Sequence, residues 1–278
     1  MFERQRTVAG QLAGVEMKTL IARYGIEWMM ARAERVFFVY GMRRAGNHAC
    51  VGWLTNALEG DAVTLIESPL VKNFNRSSSG KTFFINDVST LDARSYFKHL
   101  RRELKPVRQA RFIIISAEDV DATYGESWRI PGRSEAILVR RSTANLVASR
   151  FQNLNRRARE GLGARMQSMG PKFFATLKAN LASPRGSTWD FERWHDDERW
   201  RRRFLADLRL EHDILPPMVG LGSSFTNSRT LPTADLLRKR FMMVEPRDAW
   251  ASFIRKAASE FPDVFSAEEL ALIHTIDA

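Results

Sequence analysis

The chain has 278 residues, 44% of them hydrophobic, and its 43 basic and 32 acidic residues give a net charge of +11. This length and apolar fraction are enough for a sizeable core, and we expect one domain over residues 1–278. A single cysteine, Cys50, excludes an internal disulfide and a zinc site built from cysteines. The basic balance favours an anionic partner such as a nucleotide, an acidic polymer or a membrane surface. No nucleic-acid-binding motif occurs, so a nucleic-acid partner is not expected.

From the first part of the chain we expect neither a signal peptide nor a membrane anchor. No apolar run approaches the roughly 20 residues of a membrane span, and residues 1–18 have no apolar signal-peptide core. We therefore expect a cytoplasmic protein without a membrane span. An irregular apolar stripe over 1–33 predicts a helical extension that caps a sheet or forms a homodimer contact.

A strand, a basic turn and a helix are predicted in succession over 36–58. The apolar run 36–40 is typical of a strand buried on both faces of a parallel sheet, and apolar residues recur at helical spacing from Ala49. A helix start presents backbone N–H groups and the positive end of its dipole, and Arg43 and Arg44 add full charge. The pattern predicts a phosphate-binding turn, although the Gly-Lys-Ser/Thr of nucleoside triphosphatases is absent.

Further short apolar runs follow in chain order. They predict strands at 62–67, 82–86, 111–116 and 136–140. A Ser- and Asn-rich loop is predicted at 73–80 and a basic helix at 92–105. The alternation predicts an α/β fold with a doubly wound, mainly parallel sheet flanked by helices, with helical additions at both ends. Ligands bind such sheets beyond the carboxyl ends of the strands. The charged residues at these ends are Arg43, Arg44, Glu67, Asp87, Glu118, Asp119, Arg140 and Arg141.

The second half is less regular. Its polar, basic and glycine-bearing beginning predicts a flexible lid over 152–190, with a strand-like piece at 187–191. Helices are predicted at 197–210, 234–244, 248–261 and 267–276, the last behind the N-cap Ser266. The region 216–230 predicts a loop rich in Gly, Ser and Thr.

A second charged element begins at Arg141, directly after the strand predicted at 136–140. A helix is predicted from about Thr143, and Ser149 stands eight residues after Arg141. If that helix runs back past a ligand, both side chains reach one phosphate.

Together the two elements resemble the sulfotransferases that use 3′-phosphoadenosine 5′-phosphosulfate (PAPS), and the turn looks like a bacterial branch of that family. The family loop Tyr-Pro-Lys-Ser-Gly-Thr-Thr-Trp binds the 5′-phosphosulfate, and Arg44 and Gly46 fall on its lysine and glycine. The family motif Arg-(Asn/Asp)-Pro-x-Asp-x-x-x-Ser binds the 3′-phosphate. Arg141 and Ser149 match its first and last residues, whereas its Pro and Asp are missing.

The resemblance implies a P-loop-like sulfotransferase fold. It also implies in-line transfer of a sulfuryl group from PAPS to a hydroxyl, or less readily an amine, of a carbohydrate, a lipid or a small molecule, and no metal is expected. The 5′-phosphosulfate would contact Arg43, Arg44, Ala45, Gly46, Asn47, His48 and Ala49. The 3′-phosphate would contact Arg141 and Ser149, and a C-terminal loop would add Gly222, Ser223, Ser224 and Arg229.

The family's general base stands at the end of the strand before the second motif. Glu118 takes that position, 23 residues before Arg141, with Asp119 and Asp87 as reserves and Glu67 and His48 behind them. Arg44 would neutralise the leaving phosphate, although an arginine cannot give up a proton at neutral pH. Phe191 or Trp194 could flank the adenine.

Two other functions fit the same residues. One is a P-loop-like nucleotide kinase, which the missing Gly-Lys-Ser/Thr disfavours. The other is a non-catalytic binder of an anionic polymer that keeps the fold. Glu118 and Asp119 could also simply cap a helix, and Ser149 could bond back to a carbonyl of its own helix.

Overall fold

The structure is a computed structural model. It describes residues 30–67, 74–88, 109–124, 126, 129–157, 169–183, 186–216, 240–245 and 247–276, and the backbone alone over 153–157. Several predictions therefore lie outside the described residues. They are the extension before residue 30, the helix at 92–105, and the loop with Gly222, Ser223, Ser224 and Arg229.

The described strands form one seven-stranded sheet in the order β2-β3-β4-β5-β1-β6-β7. They are β1 (Arg35–Gly41), β2 (Leu65–Glu67), β3 (Phe74–Ser77), β4 (Thr82–Ile85), β5 (Phe112–Glu118), β6 (Ser134–Arg140) and β7 (Ser187–Asp190). β4 pairs parallel with β5, and β6 pairs parallel with β7. β2, β3 and β4 pair antiparallel. The predicted α/β fold with a mainly parallel sheet is confirmed at this level.

Helices accompany the sheet. They are α1 (Asn47–Glu59), α2 (Thr143–Arg157), α3 (Pro171–Ala182), α4 (Phe191–Asp196), α5 (Glu198–Asp207), α6 (Arg247–Glu260) and α7 (Ala267–His274), with 3-10 turns at Arg240–Met243 and Pro262–Val264. The predicted cap of α7 is confirmed, because Ser266 and Glu269 form a capping box. No helix in the described ranges is long and apolar enough to cross a membrane.

The prediction of a loop over 73–80 was wrong for its first half, where β3 forms. Its only large apolar residue, Phe74, is buried against Phe83 with the ring centroids 5.4 Å apart. The Ser77 hydroxyl, also buried, accepts the Thr82 N–H at 3.0 Å. A four-residue strand with one apolar residue has no periodicity to detect, and it forms by pairing with its neighbours in the chain, β2 and β4.

The segment predicted as a lid over 152–190 contains regular structure. α2 continues to Arg157, and α3 and β7 occupy 171–182 and 187–190. α3 is anchored by Phe174, which stacks on Phe261 at 4.4 Å between ring centroids. The strand predicted at 187–191 is confirmed. Residues 158–168 lie outside the described part, and the lid stays a prediction.

The described residues divide into two compact units, and the prediction of one domain stays a prediction. One unit takes its residues from 1–38, 63–117 and 125–135, the other from 39–62, 118–124 and 136–278. The second unit has an aromatic core in which Trp194 lies between Trp53 and Trp189, with ring centroids 6.5 and 5.2 Å away. Cys50 is buried in α1, and burial raises the pKa of its thiol.

Candidate functional site

The turn between β1 and α1 has an unusual backbone. Gly46 has a φ of 113° and Arg44 a φ of 80°. A Cβ at Gly46 would lie 2.5 Å from the Phe191 ring, so only glycine fits. Gly46 is also the N-cap residue of α1, and it makes no side-chain capping hydrogen bond. A strained arginine beside an uncapped helix start is the arrangement expected of a site that binds an anion.

The sides of the turn are held by carboxylates at the end of β5. Glu118 accepts Arg43 Nε at 3.1 Å on one oxygen and Asn47 Nδ2 at 2.9 Å on the other. Asp119 Oδ1 accepts the Arg43 N–H at 2.9 Å and Arg150 Nη1 at 2.7 Å. Glu118 therefore fixes the shape of the turn. That it is also the general base stays a prediction.

The second charged element meets the turn. Arg44 Nε donates to Ser149 Oγ over a long 3.4 Å, and Arg141 Nη1 donates to the Arg44 carbonyl at 3.0 Å. Arg44, Arg141 and Ser149 come from the ends of two strands and from α2, and they converge within a few ångströms. This is the juxtaposition that a shared nucleotide site requires.

The guanidinium of Arg141 is buried, and one of its edges makes no hydrogen bond to a described residue. Its side chain is only 5% exposed, and its guanidinium lies 4.8 Å from the centroid of the Phe191 ring. Nε and Nη2 find no hydrogen-bond partner among the described residues. These two N–H groups share one edge of the planar guanidinium, the fork that binds a carboxylate or phosphate with two parallel hydrogen bonds.

The electrostatics of the cluster also favour an anion. Burial lowers the pKa of Arg141 to about 10; Glu192 opposes the shift, and Arg240 and Arg44 add to it. Burial likewise lowers the pKa of Arg240, again opposed by Glu192. A bound anion would relieve the mutual repulsion of these guanidinium groups.

Sequence reasoning missed two residues of this cluster. Arg240 begins the 3-10 turn beside α2, where the Phe241 N–H donates to Asn145 Oδ1 at 3.1 Å. Its signal was the basic run 238–240 before an apolar residue. Glu192 is the second residue of α4, two positions after β7 ends, and the rule that ligands bind at strand ends, if applied to β7, would have found it.

Glu192 faces Arg141 without closing onto it. Its Oε2 accepts the Ser142 N–H at 3.1 Å, and its Oε1 lies 3.9 Å from Arg141 Nε. Oε1 has no hydrogen-bond partner in the described part of the chain. Burial raises the pKa of Glu192, and the charge of Arg141 opposes that shift.

A carboxylate from α7 supports the start of α2. Glu269 Oε1 accepts the Ser142 hydroxyl at 2.6 Å and the Ala144 N–H at 2.8 Å. It thereby satisfies a backbone donor of the α2 start, which would otherwise be left unpaired. Ser142, the residue after Arg141, is therefore hydrogen-bonded to α7.

The other predicted residues have different surroundings. Ala45, Asn47 and Ala49 are buried, whereas His48 is exposed. Because alanine has no polar side-chain atom, Ala45 and Ala49 can bind a ligand's polar groups only through their backbone. Trp194 is buried in the aromatic core, and Phe191 lies against the turn. Glu67 and Asp87 belong to the other compact unit. In the described ranges, no group of three or more His, Cys, Asp or Glu residues could hold a metal ion.

Comparisons with known proteins do not assign the chain to a family. No family model matches it, and searches of curated proteins and of solved structures gave no significant match. A functional proposal therefore rests on the geometry of this cluster and on the motif resemblance.

Proposed function

We propose that the protein is a PAPS-dependent sulfotransferase with a P-loop-like sulfotransferase fold. The observation that carries the proposal is the convergence of Arg44, Arg141 and Ser149: Arg44 contacts both other residues, and Arg141 keeps Nε and Nη2 without a hydrogen-bond partner among the described residues. Each motif is short, and the meeting of the two in space is what a nucleotide phosphorylated at both ends needs.

The binding roles follow from this geometry. Arg141 binds the 3′-phosphate through Nε and Nη2, and Ser149 binds it through its hydroxyl. The start of α1 and Arg44 bind the 5′-phosphosulfate, through backbone N–H groups of the first helical turn and through the guanidinium. Gly46 lets Phe191 approach the turn and keeps the turn compact.

The transfer step needs positioning and charge neutralisation. The acceptor oxygen attacks sulfur in line, the bond from sulfur to the bridging phosphate oxygen breaks, and its electron pair stays on the phosphate. Arg44 neutralises that charge without giving up a proton. Glu118 takes the acceptor proton, which requires the acceptor to displace a donor such as Arg43 or Asn47 from its carboxylate.

Thermal denaturation with different anionic ligands tests the proposal. Adenosine 3′,5′-bisphosphate at 100 times its Kd should stabilise the chain by about 2.7 kcal/mol, and ATP–magnesium should not stabilise it. A shift with ATP–magnesium alone would favour the kinase. A shift with heparin or DNA alone would favour the anionic-polymer binder.

A pair of arginine variants sharpens the test. Arg141→Gln should abolish the shift given by the bisphosphate. Arg202→Gln, at an exposed arginine on α5 that pairs with Glu198, should retain it. Radiolabelled PAPS offered with a panel of hydroxyl acceptors then tests transfer itself. A chain that binds the bisphosphate and labels no acceptor would speak against catalysis.

A further inference from the structure

Arg141 and Glu192 form a buried pair whose charged groups stand too far apart for a hydrogen bond. Their side chains are 5% and 15% exposed, yet Nε and Oε1 are 3.9 Å apart. A closed arginine–carboxylate pair has contacts of about 2.7–2.9 Å. Arg141 Nε, Arg141 Nη2 and Glu192 Oε1 all lack a hydrogen-bond partner among the described residues.

Neighbouring contacts hold the two groups in this position. Glu192 is anchored through Oε2 on the Ser142 N–H, and Arg141 is anchored through Nη1 on the Arg44 carbonyl. Phe191, the residue before Glu192, lies over the guanidinium. Each group therefore keeps one side fixed and turns its unsatisfied side toward the same small region.

Two buried groups with unmet hydrogen bonds are costly unless a ligand satisfies them. The N–H groups of Arg141 on Nε and Nη2, unbonded within the described residues, require acceptor oxygens. Oε1 of Glu192, 3.9 Å from that Nε, demands a donor. A phosphate alone meets only the first demand, because a fully ionised phosphate has no donor and is repelled by the carboxylate. A phosphate with a hydroxyl on the adjacent carbon meets both.

We propose that Glu192 binds the ribose 2′-hydroxyl next to the 3′-phosphate, so that Arg141 and Glu192 together recognise a ribonucleotide 3′-phosphate. This inference rests on the proposed function, because it assumes that the nucleotide binds with its 3′-phosphate on Arg141. Glu192 then acts as a specificity residue: it favours a vicinal hydroxyl and phosphate over a phosphate alone.

Two nucleotides that differ by one oxygen test this on the native chain. Adenosine 3′,5′-bisphosphate and 2′-deoxyadenosine 3′,5′-bisphosphate are titrated calorimetrically under the same conditions. A hydrogen bond to a charged group predicts that the deoxy compound binds about 10- to 100-fold more weakly. Equal Kd values would overturn the inference and leave the proposed function standing.

Variants then assign the discrimination to its residue. Glu192→Ala should bring the ratio of the two Kd values close to one, and Glu192→Gln, which keeps a neutral acceptor, should leave a ratio of a few-fold. Glu198→Gln, at an exposed carboxylate on α5, should keep the native ratio. A native ratio in both Glu192 variants would show that another group binds the hydroxyl. Failure of both nucleotides to bind the native chain would overturn the proposed function and this inference with it.

Discussion

Arg44 allows backbone strain and anion binding to be separated in one experiment. Its φ of 80° lies in the left-handed region, which glycine adopts without steric strain and residues with a Cβ do not. Arg44→Gly removes the guanidinium and relieves the backbone. Arg44→Ala removes the guanidinium and keeps the strained conformation. The two variants should lose the same ligand contacts and differ in stability.

The expected difference follows from two opposing terms. The left-handed conformation costs a residue with a side chain about 1–2 kcal/mol, which glycine avoids. Glycine loses about 0.5–1 kcal/mol more chain entropy on folding. Arg44→Gly should therefore be more stable than Arg44→Ala by roughly 0.5–1 kcal/mol, or about 1–2 °C in Tm for a chain of this length. The lost contact to Ser149, at 3.4 Å, is common to both variants.

Urea denaturation gives the stability difference, and calorimetry with adenosine 3′,5′-bisphosphate gives the affinities. Loss of charge-assisted hydrogen bonds to the nucleotide should weaken binding by about 10- to 100-fold in both variants. An Arg44→Gly chain less stable than Arg44→Ala would refute the strain argument. Native affinity in either variant would remove Arg44 from the nucleotide site.

Three further results are expected. Gly46→Ala should lower the free energy of unfolding, measured in urea, by about 3 kcal/mol, because a Cβ there is strained at a φ of 113° and also clashes with Phe191. The control Gly132→Ala has a φ of 75° but open space around the Cβ, and should cost about 1 kcal/mol. Equal losses in the two variants would contradict the clash. Glu118→Gln should slow transfer at least 100-fold and change bisphosphate affinity only a few-fold, and full turnover would exclude it as the base. The affinity for the bisphosphate should be constant from pH 7 to 9 and fall above pH 10. The pKa of Arg141 is lowered to about 10, so its positive charge is lost as the pH rises through that value. A constant affinity up to pH 11 would contradict the role of Arg141 in binding the 3′-phosphate.

Local chemistry explains what the sequence made predictable. The buried run of β1, the turn and α1 follow one another within 25 residues, and each has its own signal. The meeting of Arg44 with Arg141 and Ser149 was also predictable in outline, because both motifs follow strands expected to end at the same edge of the sheet.

Other parts depend on contacts between distant residues. Arg240 and Glu192 act electrostatically on Arg141 from 99 and 51 positions away, and nothing in their flanking sequence states that they meet. Glu118 was expected to be available as a base, and its hydrogen bonds to Arg43 and Asn47 were not foreseen. Long-range pairing of charges leaves no periodic trace along the chain.

The burial of Cys50 gives the protein a chemical reporter of its own motion. Only the thiolate reacts with disulfide reagents, and a buried thiol with a raised pKa reacts only after the surrounding structure opens. The Cys50 N–H bonds to the Gly46 carbonyl at 3.0 Å, so this thiol belongs to the helix turn that begins at the candidate site. Because the chain has one cysteine, the rate of its modification measures how often that helix start opens. A ligand bound to the turn would slow that rate, even if its chemistry were unknown.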